Sequence, residues 1–221
     1  MAFKIVMGRV KGGVASSTTA SNLAVYFAHR GHRVVVLDCD VNQSVSGFAE
    51  NRSAELPQFE VIDMQDTKRI ARVTQKLDGE YDIIIIDGSP ALDEKATYLI
   101  LLADLIVIPT PADMFSISAQ EIFIERYLEA RAMKDDVAPA YFLMSMYNPR
   151  INLHKEFKET LKAYDEYQIG TLKSYTEYRT AYRTSLIKGQ GVYEWTDPKA
   201  KQEIKALGDE LIKIGKVFQV A

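Results

Sequence analysis

The chain has 221 residues, 47% of them apolar and 26% charged, with seven prolines; it is long enough to bury a sizeable core, and its composition excludes a disordered or fibrous protein. A single cysteine, Cys39, excludes an intramolecular disulfide framework and any cluster held by several thiolates. The net charge of -3 excludes a general polycation, although residues 148–221 hold 13 basic against 10 acidic side chains, a local surplus compatible with a basic face for a polyanion.

The chain runs from its start into Phe3-Lys4-Ile5-Val6-Met7, which reads as a first strand and not as a secretory leader. A helix is expected over 18–30, with Ala20, Leu23, Ala24 and Phe27 on one stripe and Gly31 as its stop. Residues 33–38 and 82–87 are unbroken apolar runs rich in β-branched side chains, the pattern of strands buried on both faces. Residues 105–109 and 140–144 read as two more. Ser118 with Glu121 has the form of a capping box opening a helix to Arg131. Asp197 followed by Pro198 places a cap and a first-turn proline before a helix whose Ile204, Leu207, Leu211 and Ile212 face the core. No window approaches the roughly 20 apolar residues of a membrane span. Strands alternating with helices imply an α/β, doubly wound, mostly parallel sheet with helices on both faces, here as one domain over residues 1–221.

Ligands of such sheets bind beyond the carboxyl ends of the strands. Three distant segments meet there: the stretch Lys11 to Ser17 after the first strand, and Asp38 and Asp87 at the ends of the next two apolar runs. Glycines in the first stretch let several amides and a helix N-terminus point at one anion, with hydroxyls where a magnesium ion needs them. A plain strand-to-helix turn has a similar composition, and an aspartate pair after a strand also caps a following helix. The order of the three segments adds what each lacks.

Lys11-Gly12-Gly13-Val14-Ala15-Ser16-Ser17-Thr18 resembles the deviant Walker A box of the ParA/MinD family, Lys-Gly-Gly-x-Gly-Lys-Thr-Thr. Ala15 stands at the second glycine and Ser16 at the usual lysine, so two positions depart from the pattern. Asp38-Cys39-Asp40-Val41-Asn42 resembles the family's Asp-x-Asp-Pro motif with valine for proline, and 81–90 its Walker B strand. Met146 to Arg150 is similar to a segment near the nucleotide base, and Gly189 to Glu194 to the later Gly-x-x-Val-x-Glu stretch.

The resemblance implies a P-loop ATPase using ATP and Mg²⁺. Lys11 to Thr18 would bind the nucleotide, with Lys11 also catalytic by crossing to the partner's nucleotide in a homodimer formed on ATP binding. Asp38 would be the catalytic carboxylate, with Asp40 structural, and Ser17 and Asp87 (through water) would hold the metal. Arg150 is the second candidate, after Lys11, for the charge that Ser16 lacks. Arg179 and Arg183, four apart in an expected helix, and Lys188 would contact nonspecific DNA, while Tyr175, Tyr178 and Tyr182 would pack. An adaptor of the ParB or McdB kind would stimulate hydrolysis. The implied role is to position a cargo, preferably a carboxysome and otherwise a plasmid or chromosome, from a cytoplasmic, nucleoid-associated location. Two alternatives stay open: a MinD-like switch anchored by residues 211–218, and a nucleotide-binding pseudo-ATPase acting as an interaction module.

Overall fold

The computed structural model describes residues 1–9, 11–66, 69–90 and 95–219, without the side chains of residues 89, 90, 95, 114–120 and 217–219. Among the described residues seven strands form one sheet: β1 Phe3–Arg9, β2 Val34–Asp38, β3 Glu60–Asp63, β4 Ile83–Pro90, β5 Leu105–Pro111, β6 Ala140–Ser145 and β7 Ile169–Tyr175. Their order is β3-β2-β4-β1-β5-β6-β7 with every pair parallel. The helices are α1 Ser16–His29, α2 Ser44–Glu50, α3 Ile70–Leu77, α4 Lys95–Leu102, α5 Met114–Met133, α6 Asn152–Thr160, α7 Thr180–Ile187 and α8 Pro198–Gln219.

The unbroken apolar runs follow from a sheet covered on both sides. Val34 and Val36 of β2 and Ile83 and Ile85 of β4 pack with α1, α2, α7 and α8. Val35, Leu37, Ile84 and Ile86, one residue out of phase, pack with α3 to α6 on the other face. Each such fully buried side chain stabilises the fold by roughly 1.5–3 kcal/mol relative to exposure.

The expected ends hold in two places. Gly31 has φ +83° just past α1, and the Asp197 carboxylate accepts hydrogen bonds from the Lys199 and Ala200 amides at the start of α8. They fail at the capping box, because α5 already begins at Met114 and Ser118 lies inside it. Two strands also went unforeseen. Both lie at sheet edges, β3 beside β2 alone and β7 beside β6 alone, where one-sided pairing does not demand an apolar run.

α8 lies against α1 and β1 at close range. A Cβ on Gly208 would come within 2.4 Å of the Tyr26 ring, and one on Gly215 within 2.4 Å of the Phe3 ring. Ile204, Leu207 and Leu211 are fully buried there, so these side chains are spent on the core. Among the described residues no helix is long and apolar enough to cross a membrane. A second tie fixes the end of α2: Arg52 Nη1 and Nη2 both bond the Glu194 carboxylate, at 3.0 and 2.8 Å, and also reach the Gly189 and Pro57 carbonyls. The Phe48 and Phe59 rings flank that guanidinium.

Candidate functional site

β2 and β4 are in register, so Asp38, the last residue of β2, lies beside Asp87 of β4, both fully buried. α1 starts beside them, and the Ser16 hydroxyl donates to Asp87 Oδ1 at 2.8 Å. Asp87 Oδ2 has no hydrogen-bond partner. Burial pushes the Asp87 carboxyl up to about 6 against the pull of the nearby Ser17 and Ser16 hydroxyls. A buried carboxylate oxygen with an open lone pair is costly unless something positive completes it.

The first turn of α1 has its own unmet need. Its leading amides have no intrahelical acceptor, and Ala15, the cap residue, supplies no side-chain oxygen. Those amides and the helix dipole are therefore available to an anion. Ala15 sits at φ +69°, a left-handed conformation that costs a non-glycine residue roughly 1–2 kcal/mol.

Asp38 is engaged in the structure. Its Oδ2 accepts from the Val45 and Ser46 amides at 3.1 and 3.0 Å and from the Ser46 hydroxyl at 3.1 Å. It thereby caps α2, whose own cap residue, Gln43, makes no such bond. Asp40 faces Arg9, with Nη1 donating to Oδ2 at 2.7 Å, and this hydrogen bond holds the Asp40 carboxyl below its ordinary range. Lys11 reaches the Asp113 carboxylate at 2.8 and 3.1 Å.

Beyond α1, Gly13, Ala15 and Thr18 form one wall of a recess of about 190 Å³ whose other lining includes Met146, Thr176, Tyr178, Arg179 and Arg183. Asn22 ties this side together: its side chain donates to the Thr18 carbonyl and accepts from the Val192 amide. Among the described residues no group of three or more His, Cys, Asp or Glu forms a metal cage. One carboxylate and serine hydroxyls beside an anion site instead suit a hard divalent cation held largely by phosphate and water.

Residues 5–188 match the family described as the CobQ/CobB/MinD/ParA nucleotide binding domain. The chain belongs to this family. A maintenance of carboxysome distribution protein A from Gloeobacter kilaueensis is 27% identical over 194 residues, covering 87% of this chain and 84% of that protein. The chromosome-partitioning ATPase Soj of Thermus thermophilus is 25% identical over 189 residues, covering 73% and 76%. The solved structure of an ATP complex of a substituted Cyanothece McdA superposes with TM-score 0.77 at 14% identity, covering 95% of this chain and 96% of that one. That likeness is one of fold.

Within the MinD/ParA frame, the structure brings Ser16 onto Asp87 and sets Asp87 beside Asp38, and it places Met146 beside Gly13 and Ala15 of the P-loop. Other expectations need correction. Arg179 precedes α7 as its cap residue, and Glu203 and Glu177 hold its guanidinium at 2.7 and 3.0 Å. It therefore does not share an exposed helix face with Arg183. Arg183 and Lys188 are exposed, and Arg183 lies 5.8 Å over the Tyr178 ring. Tyr178 is 64% exposed and not a packing residue, whereas Tyr182 is buried. Arg150 is exposed in the turn after β6, outside the lining of the recess. Arg9 and Asp113 were missed, since a lone charge in a strand end or a loop carries no sequence signal of its partner.

Proposed function

We propose that this chain is a ParA-type ATPase that closes an ATP-dependent sandwich dimer on nonspecific DNA and positions a cargo, with a carboxysome preferred over a plasmid or chromosome. The observation that carries the chemistry is the pairing of Asp38 and Asp87 on adjacent strands beside an uncapped α1 N-terminus. The cargo preference rests on the likeness to the Gloeobacter carboxysome-distribution protein, and Soj keeps the chromosome in view.

In this reading the amides of Gly12 to Ser17 and the dipole of α1 hold the β- and γ-phosphates. Asp87 and Ser17 are the residues that would hold Mg²⁺, which when bound offsets phosphate charge and fixes its geometry. Asp38 orients the attacking water and accepts its proton. Its Oδ2 is held by α2, which fixes the carboxylate plane and leaves Oδ1, 3.3 Å from the Asp40 amide, as the oxygen facing the water. Lys11 exchanges Asp113 for the partner's nucleotide on dimerisation, which makes ATP binding and dimer closure one event. Arg183 and Lys188 contribute to the DNA face, and an adaptor of the ParB or McdB kind triggers release.

The test compares DNA binding and dimerisation with ATP, ADP and no nucleotide; binding that ignores the nucleotide would sink the proposal. Asp38→Asn, which keeps an oxygen for the α2 amides, is expected to retain the ATP dimer and lose hydrolysis by about 100-fold or more. Loss of ATP binding would instead make Asp38 a structural cap alone. Ser16 in place of the P-loop lysine favours a second reading, a nucleotide-dependent interaction module without turnover, and a phosphate-release assay with DNA and adaptor separates the two.

A further inference from the structure

We propose that Arg9 is a catalytic residue that supplies, within the same subunit, the positive charge Ser16 lacks, and that it moves from Asp40 to the γ-phosphate when a nucleoside triphosphate binds. This rests on the ATPase reading above.

The need is electrostatic. Asp38, Asp40 and Asp87 are all buried, at 0, 3 and 0% exposure, on the carboxyl side of β2 and β4. Three carboxylates and a triphosphate in one crevice exceed what a single divalent cation offsets, and charges a few ångströms apart interact far more strongly there than in water. An uncharged Ser16 contributes nothing to that balance.

The described cations near the P-loop differ in where they point. Lys11 reaches sideways to Asp113, beyond β5. Arg179 is held between Glu177 and Glu203. Arg183 lies over Tyr178, on the recess side of α1. Arg9 alone crosses the tip of β4, running from β1 to the loop after β2, and its charge acts on Asp87 beneath it.

The backbone supplies the aim. Met7 pairs with Asp87, but Arg9 pairs with Pro90, so the β1–β4 register shifts by a bulge between them. A bulge re-aims the side chain that follows it, and such shifts recur beside active sites. The Arg9 side chain is 11% exposed, its one side-chain hydrogen bond among the described residues goes to Asp40, and its Nε, like that of Arg52, is buried without an acceptor. Arg52, by contrast, bonds four acceptor atoms. A half-used fork is what a pair of phosphate oxygens would complete.

In the reaction the water oxygen bonds to the γ-phosphorus as the bond to the β–γ bridging oxygen breaks. ADP leaves with that electron pair, and the water proton passes to Asp38. Arg9 exchanges no proton; it offsets the charge that builds on the γ-phosphoryl oxygens and the bridging oxygen.

The experiment measures ATP and ADP affinity by calorimetry, with hydrolysis alongside, for the wild type and three variants. Arg9→Gln with Asp40→Asn removes both members of the pair, so neither is left buried and charged. It is expected to keep the fold and the ADP affinity, weaken ATP about 10- to 100-fold and slow hydrolysis roughly 10³-fold, the lower end of what a positioned arginine supplies. Asp40→Asn alone frees Arg9 and is expected to tighten ATP several-fold while leaving ADP unchanged, an effect that a purely structural Arg9 would not produce. Adding Ser16→Lys to Arg9→Gln and Asp40→Asn is expected to restore ATP preference. An unchanged ratio of ATP to ADP affinity in the double variant, or equal losses for both nucleotides, overturns the assignment. A wild type that binds neither nucleotide overturns the ATPase reading itself.

Discussion

The Arg52 and Arg9 side chains each pair with a buried carboxylate. Arg52 grips Glu194 through two nitrogens, takes two backbone carbonyls as well, and is 1% exposed between two phenyl rings. His29 adds a bond to the same Glu194 carboxylate, and the Gly191 amide another. Arg9 holds Asp40 by one bond at the mouth of the crevice. The number of bonds is what separates a tie that fixes α2 in place from a pair that can be opened by a ligand, since opening the first leaves several buried groups unmet and opening the second leaves few.

The largest effect follows from breaking the more heavily bonded pair. Glu194→Ala strands the Arg52 charge and should lower unfolding stability by roughly 3–5 kcal/mol, whereas Asp40→Ala should cost roughly 1–2 kcal/mol because Arg9 can turn to water. Urea melts of the two variants decide the order, and equal losses would erase the distinction.

Acid sharpens the same contrast with a smaller effect. Glu194 and Asp40 both titrate below the ordinary carboxylate range, Glu194 through Arg52 and His29 against the effect of its burial, and Asp40 chiefly through Arg9. A depressed folded value stabilises the protein above the unfolded value of about 4, and that contribution is lost as pH falls through the folded one. Glu194→Gln and Asp40→Asn should therefore each flatten the fall of stability below about pH 4. A stability curve unchanged by either substitution would show that these carboxylates do not drive the acid transition.

The smallest change concerns the loop between them. Ala15→Gly removes the cost of φ +69° but adds glycine's unfolded-state entropy, so a net gain of about 0.5–1 kcal/mol is expected in thermal melts. A loss would show that the alanine methyl packs usefully there.

Much of this was legible in the sequence, and unevenly so. Strands whose side chains enter both layers must be apolar throughout, which is why β2 and β4 announce themselves. β7 carries Gly170, Thr171, Lys173 and Ser174 at the sheet edge and has no such mark. The aspartates that close the apolar runs of β2 and β4 were readable because topology delivers the carboxyl side of the strands to one place. Arg9 was not, because its meaning depends on a register shift that only paired strands possess. Arg179 was misplaced for a related reason: a spacing of four describes a helix face only if the helix begins early enough, and α7 starts one residue too late.

Gly208 and Gly215, seven residues apart on α8, have a consequence for anyone screening this protein by random mutagenesis. Each lies where even a single methyl would drive into an aromatic ring, and the rings belong to α1 and β1, the two elements that present the P-loop. Substitutions at these positions are expected to score among the most damaging in the chain although neither glycine is near the crevice. A tolerance map would thus show a second band of apparent essentiality along the far helix, marking the surface on which the P-loop helix rests.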